Sequence, residues 1–172
     1  MSKCPWKIRT LFIILLSIVS ICSFGQIPTD SLPGDPGAFS VYSVQNLSFG
    51  AFTPGSGGGT IIIAGNGSRS VTGTVIPLNM GVTFGQALFE IEAPEGTILS
   101  ILNGPNATLT GSNGGSMMLG IGSSDPASPF SIVNPSPGRT SINIGGTLTV
   151  GNLVANPPGI YTGNFYITFN QE

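Results

Sequence analysis

The stretch ALFEIEAPEGTILSI, residues 87–101, decides the fold class. Its first seven residues alternate between an apolar face and an acidic face, as the side chains of an extended strand do. The apolar positions are Ala87, Phe89, Ile91 and Ala93, and the acidic ones are Glu90 and Glu92. PEG (94–96) predicts a turn, and TILSI (97–101) predicts a second strand. Strand, turn and strand in so short a stretch indicate an antiparallel β-protein.

The same pattern continues on both sides of this stretch, where Gly/Pro clusters separate short apolar or alternating runs. No run of eleven residues after the N-terminal segment keeps a helical apolar period without Gly or Pro. We therefore predict an all-β, antiparallel, immunoglobulin-like β-sandwich of about 7–9 short strands, with a small barrel as the structural alternative. The further strands are expected at 39–45, 47–50, 60–64, 70–78, 107–111, 116–121, 130–133, 141–151 and 159–170.

The final stretch, GIYTGNFYITFNQE (159–172), carries the most regular alternation after residues 87–93. One face holds four apolar or aromatic residues, which we expect in the core. They are Tyr161, Phe165, Ile167 and Phe169. Polar residues dominate the other face. Since an apolar edge strand promotes aggregation, the sequence predicts that this strand lies between two others.

The N-terminus has the three-part layout of a secretory signal. Basic residues come first, an apolar run covers 11–24, and small residues at Ser23 and Gly25 predict cleavage between Gly25 and Gln26. The alternative is a membrane anchor, but the run has 14 residues, whereas a membrane span needs roughly 20. We expect residues 1–25 to be a cleaved signal peptide and the protein to be exported, to the periplasm, cell surface or exterior.

Residues 26–38 are polar and proline-rich, which indicates an extended leader ahead of a single domain at 39–172. Within the leader, Asp30-Ser31-Leu32 matches a short motif for O-glycosylation at Ser31 in some bacterial surface proteins.

Cleavage would leave a chain without Cys, His or Lys, whose only bases are Arg69 and Arg139. Seven acids remain, so the formal net charge is 2 − 7 = −5. The usual general bases and the ligands of zinc or iron sites are missing, so no cofactor or metal is expected. Two bases cannot neutralise a phosphate backbone, and nucleic acid is therefore not an expected partner.

Carboxylates are the one remaining source of catalytic groups, and Glu90, Glu92, Glu95 and Asp125 are the candidates for a glycosidase. Catalytic acids normally face each other across a cleft from separate elements. Glu90 and Glu92 instead share one face of one strand, which favours the solvated face of an edge-type strand. The sequence predicts that the protein is not an enzyme.

Two stretches together carry a family resemblance. LSFGAFTPGSGGGTIII (47–63) and GGTLTVG (145–151) with PPGIYTGNFYITFN (157–170) resemble a family of secreted bacterial proteins labelled domain of unknown function 4402. That family is distantly similar to spore-coat-U-like and chaperone–usher pilin domains. The resemblance implies an exported immunoglobulin-like sandwich without catalytic residues. This chain lacks the cysteine pair that many pilins carry.

These observations favour an exported structural or adhesive surface protein, such as a pilin-like subunit. Its leader and first strand could lend a strand to itself or another surface subunit, with Phe39 and Val41 filling pockets. The alternative is that 39–45 pairs within its own sheet. A carbohydrate-binding sandwich is the second hypothesis, for which Tyr42, Tyr161 and Tyr166 are the only tyrosines. No membrane span is expected after residue 25.

Overall fold

A computed structural model describes residues 38–172. The predicted signal peptide, its cleavage site at Gly25 and Gln26, and nearly all of the leader lie outside the described residues. The described chain contains no helix and pairs its strands antiparallel, which confirms the predicted all-β class. The strands are β1 (Ser40–Gln45), β2 (Ser48–Phe49), β3 (Phe52–Thr53), β4 (Gly59–Ile63), β5 (Arg69–Gly73), β6 (Ile76–Pro77), β7 (Phe84–Gly85), β8 (Ala87–Glu92), β9 (Ile98–Asn103), β10 (Ala107–Gly111), β11 (Ser116–Asp125), β12 (Phe130–Ser131), β13 (Thr140–Val150), β14 (Tyr161–Thr162) and β15 (Ile167–Gln171).

Nine of these strands have five residues or more, and the other six have two residues each. Nine is within the predicted range. Residues 87–101 form β8, a turn and β9, as their alternation and the PEG sequence at 94–96 predict.

The larger sheet has eight strands and is built around β13. Its main order is β1-β8-β13-β11-β10-β14, and β4 and β5 are attached beside the second half of β13. Residues 140–144 pair with β8, whereas residues 146–150 pair with β4. Gly145 sits at the change of partner, where a Cβ atom would collide with the carbonyl oxygen of Ile63. Only glycine permits so close a backbone approach.

A second layer faces this sheet and completes the sandwich. It contains the three-stranded sheet β12-β9-β15 and the two-residue ladders β2-β7 and β3-β6. Antiparallel sheets packed in this way bury alternate residues of each strand. On β13, for example, Ile142, Ile144, Leu148 and Val150 are all buried, as their spacing predicts.

The core consists of two clusters of buried side chains. The first cluster lies among β2, β4, β10, β11 and β13, and the second among β8, β9, β12 and β13. Leu47, Ile121 and Phe165 are partly buried and pack against both clusters, so they join the two halves.

The prediction that the last strand lies between two others is wrong. The chain divides it into β14, which pairs with β10 in the large sheet, and β15, which pairs only with β9 and ends the smaller sheet. The prediction assumed that covering apolar side chains requires a backbone neighbour on each side. Here the cover comes across the core, where the rings of Phe169 and Phe89 meet edge to face at 5.8 Å.

Candidate strand-binding groove

A long groove opens beside the last two strands, between residues 46–54 and 159–167. Its volume is about 1130 Å³. The floor consists of side chains of the first core cluster, so the groove reaches the protein interior. These floor residues are Phe49, Leu109, Met117, Leu119 and Leu148.

No residue that lines this groove carries a charged side chain. The rim exposes large apolar residues to solvent: Ile160 is 74% exposed, Met80 is 70% exposed and Tyr166 is 72% exposed. Exposed apolar residues gathered at one place mark interaction sites, whereas scattered ones need no explanation.

An open backbone edge begins at this groove with Ile167, the residue of β15 that lines it. The backbone carbonyl of Tyr166 accepts a hydrogen bond from the amide of Gly104, and the amide of Glu172 donates to the carbonyl of Ile98. Both of these backbone groups therefore point toward β9. Because hydrogen-bonding direction alternates along an antiparallel strand, Ile167, Phe169 and Gln171 direct their amides and carbonyls away from β9. Within residues 38–172, no strand pairs with that edge.

One end of the groove is fixed by two side chains with local roles. The hydroxyl of Tyr161 donates to the carbonyl of Pro157 at 2.8 Å, a contact like the tyrosine corner of immunoglobulin-type sandwiches. Asn156 is almost fully buried and donates to the carbonyl of Ser116 at 2.7 Å, while its own side-chain oxygen accepts from the amide of Gly151. These bonds hold the 151–161 segment against β11.

The predicted donor segment lies at the opposite edge of the large sheet. β1 pairs only with β8, with Val41 opposite Ile91, and Phe39 packs against the second core cluster. In the monomer the segment therefore pairs within its own chain, which was the alternative to strand donation. All six residues of β1 are exposed.

A polar cluster that we call the β1 latch covers this edge, and its members are Tyr42, Glu90, Glu92 and Arg139. The guanidinium of Arg139 lies 3.8 Å from the centre of the Tyr42 ring and 3.0 Å from Glu90 Oε2. The Tyr42 hydroxyl lies 3.4 Å from Glu92 Oε2. The hydrogen bond to Glu90 raises the pKa of Arg139, so the guanidinium stays charged at any physiological pH.

The carboxylates predicted as a possible catalytic pair lie in this latch. The structure corrects one part of the expectation, because β8 is not an edge strand: it lies between β1 and β13. Arg139 bridges the two carboxylates, 3.0 Å from Glu90 and 3.8 Å from Glu92, and the hydroxyl of Ser136 donates to Glu92 at 2.7 Å. The arrangement pairs both acids with one guanidinium on the same sheet face and presents no cleft between them.

Arg69 and two of the three tyrosines also have structural partners. Arg69 donates to the carbonyl of Phe49 at 3.1 Å and lies 4.2 Å from the centre of the Phe84 ring. Of the three tyrosines, Tyr42 lies under Arg139 and Tyr161 forms the corner, while Tyr166 remains exposed at the groove rim.

Residues 38–172 contain no group of three or more His, Cys, Asp or Glu side chains arranged to hold a metal ion. None of their elements is a helix long and apolar enough to cross a membrane.

Sequence reasoning missed the groove and Asn156. The exposed apolar residues of the rim occur in segments that resemble ordinary loops, and only the tertiary arrangement brings them together. Asn156 precedes a Pro-Pro-Gly turn and reads as a loop residue, so nothing in its neighbourhood indicates that it is buried.

The chain was also compared with known proteins. The model of a family described as "Domain of unknown function (DUF4402)" matches residues 39–170. No curated protein and no solved structure gives a significant match. The family match spans the whole described sandwich, from β1 to β15. The chain therefore belongs to the DUF4402 family.

Proposed function

We propose that this protein is a non-enzymatic, exported structural subunit of a surface assembly, which joins its neighbours by β-strand addition as pilin-like subunits do. The observation that carries the proposal is an apolar groove that opens onto the core beside an unpaired strand edge.

The open edge supplies the backbone half of such an interaction. Alternate amides and carbonyls of β15, starting at Ile167, point away from β9 and can pair with an added strand. Main-chain hydrogen bonds of this kind provide affinity in β-strand addition, and pockets for alternate side chains provide specificity. An edge left open is otherwise a liability that proteins protect with charge, proline or a covering segment. The five residues of β15, ITFNQ, contain neither charge nor proline.

The groove supplies the side-chain half. Its volume of about 1130 Å³ exceeds the roughly 300–1,000 Å³ of small-molecule pockets. Residues 46–54 and 159–167 line its two sides, and the space between these two chain segments suits an extended peptide. A segment that enters it must be uncharged, since a charge buried without a partner is strongly destabilising.

The occupant that we propose is the N-terminal part of a second copy, within residues 26–45. Residues 26–37 contain Asp30, Asp35 and three prolines, which suit solvent better than a strand ladder. Residues 38–45, AFSVYSVQ, contain neither charge nor proline and alternate in side-chain direction. The uncharged groove and the uncharged segment match in electrostatics, with Phe39 and Val41 as pocket-filling residues.

A soluble peptide that carries residues 38–45 tests this function on the purified exported protein. Amide chemical shifts report where the peptide binds, and we expect changes around Leu109, Gly163 and Phe165. The double variant Ile160→Asp/Met80→Asp places two charges on the exposed rim and should weaken binding at least tenfold. The matched control Val154→Asp/Val133→Asp changes two exposed valines, 92% and 67% exposed, that do not line the groove.

Equal affinity in the rim variant, the control and the unaltered protein would refute the groove as the binding site. Specific binding of an oligosaccharide, with no binding of the peptide, would instead support the carbohydrate hypothesis, with Tyr166 as its exposed aromatic residue.

A further inference from the structure

We propose that the inserted strand is β1 itself: it leaves the β8 edge of its own chain when the β1 latch opens, and it enters the groove of a second copy. This inference rests on the proposed function, which names residues 38–45 of a second copy as the segment that the groove receives. It adds that the monomer keeps its donor strand in a closed, latched position.

The attachment of β1 in the monomer is weak for a strand of six residues. Among the strands of residues 38–172 it pairs with one neighbour, and all six of its residues are exposed, whereas Phe39 just before it is half-buried. The ladder with β8 is irregular between Ser43 and Gln45, where the register shifts. Strands with few buried apolar contacts and exposed hydrogen bonds open at low free-energy cost.

Polar contacts replace the missing burial. The Arg139 guanidinium stacks on the Tyr42 ring, and the Tyr42 hydroxyl donates to the Glu92 carboxylate. The side-chain amide of Gln45 donates to the carbonyl of Gln86 at 2.7 Å. Exposed ion pairs and cation–π contacts of this kind contribute modestly and weaken as salt increases. The latch therefore positions β1 without fixing it permanently.

The edge that β1 leaves behind suits a strand that is open part of the time. Glu90 and Glu92 remain on β8 with Arg139 beside them. Charged side chains on an edge strand discourage pairing with the wrong partner. Once β1 has left, charge therefore protects the new β8 edge, whereas the β15 edge and the groove are uncharged.

Moving β1 into a groove increases the burial of Val41, which is 40% exposed on β8. Phe39 exchanges its half-buried position against the second core cluster for the groove floor. In an extended strand, Phe39 and Val41 share one face and Val44 shares the other with Tyr42. Insertion with Phe39 and Val41 toward the groove floor places them against Leu109 and Met117, while the backbone pairs with the open edge from Ile167 onward.

A reversible disulfide can test this transfer, because the predicted mature chain contains no cysteine. Tyr42 and Glu90 are Cα partners across β1 and β8, so Tyr42→Cys/Glu90→Cys locks β1 in place when oxidised. The matched control is Thr60→Cys/Thr72→Cys, which joins two other partner strands, β4 and β5. Light scattering after size-exclusion chromatography measures assembly, and circular dichroism checks that each variant is folded.

We expect the oxidised β1 lock to remain monomeric at concentrations where the unaltered protein and the Thr60/Thr72 variant assemble, and a reducing agent to restore its assembly. The free peptide of residues 38–45 should still bind the oxidised lock with unchanged affinity, since its groove stays open. A peptide that fails to bind would count against the proposed function, whereas a lock that assembles normally would overturn only the present inference.

Arg139→Gln provides a second variant if the lock does not fold. Without the guanidinium, β1 should leave β8 more often, so assembly should be several-fold faster than in the unaltered protein. Glu95→Gln is its control, because Glu95 is exposed in the turn between β8 and β9 and belongs neither to the β1 latch nor to the groove lining. Equal assembly rates for Arg139→Gln and the unaltered protein would overturn the inference, as would an unaltered protein that stays monomeric at every concentration.

Discussion

The two halves of the core are covered in different ways. Over the second cluster lies the continuous sheet β12-β9-β15, and we call this the covered half. The first cluster is covered by the short strand pairs β2-β7 and β3-β6, and the groove opens beside them. We call this the open half. Both halves bury isoleucines of the large sheet: Ile61 and Ile63 in the open half, and Ile91, Ile142 and Ile144 in the covered half.

The difference shows that side-chain packing and backbone pairing can be satisfied separately. In the covered half, each buried side chain has a paired strand behind it, so the half is complete within one chain. In the open half, buried side chains such as Leu119 and Leu148 lie beneath a gap in the second layer. The covered half should therefore determine the stability of the monomer, and the open half its association.

The largest effect on stability is expected in the covered half, for Leu99→Ala. Leu99 is fully buried at the centre of the three-stranded sheet. Removing a buried leucine side chain leaves a cavity, so the free energy of unfolding should fall by about 4 kcal/mol. Urea titration followed by circular dichroism measures it.

Leu102→Ala is the control on the same strand, because Leu102 points outward and is 61% exposed. Its effect should stay within about 0.5 kcal/mol. Similar losses for the two variants would mean that the covered half does not determine stability.

Phe165→Ala tests the boundary between the halves. Phe165 is half-buried, contacts both clusters and lines the groove. Because the groove already leaves space beside the ring, we expect a loss near the lower end of the roughly 3–5 kcal/mol for buried phenylalanines, about 3 kcal/mol. An unchanged midpoint of thermal unfolding would show that Phe165 belongs to the solvent face.

How much of this could be predicted from the sequence depends on how far each feature is determined locally. Alternation along residues 87–93 and 141–151 predicted strands and buried faces, since burial of one face imposes a period of two on a strand. Glycine and proline clusters predicted turns for the same local reason.

Pairing partners depend on residues far apart in the chain, and there the sequence was insufficient. Nothing in GIYTGNFYITFNQE shows that it divides between β10 and β9, and the groove exists only because of that division. Likewise, Arg139 meets Glu90 from 49 residues away. A lone arginine in a loop does not indicate which acids it will contact.

Asn156→Ala tests how the open half keeps its groove in shape. The substitution removes the two hydrogen bonds that the buried Asn156 side chain makes, to the amide of Gly151 and to the carbonyl of Ser116. Hydrogen bonds contribute about 0.5–1.5 kcal/mol each, so we expect a loss of about 2 kcal/mol in unfolding free energy. Asn152→Ala, at an exposed asparagine that bonds only to its own turn, is the control.

The smallest effect on stability is expected for Arg139→Gln in the β1 latch, although its effect on assembly should be clear. The contacts of Arg139 lie at the surface, where water and salt screen them, so the free energy of unfolding should change less than in any variant above. A double-mutant cycle with Glu90→Gln measures the pair directly, and its coupling should decrease as sodium chloride increases. A coupling energy independent of salt would mean that the latch is not electrostatic. If the unfolding free energy fell as far as in Leu99→Ala, β1 would be part of the stable core. The distinction between a covered half that determines stability and a β1 strand that can leave its own chain would then fail.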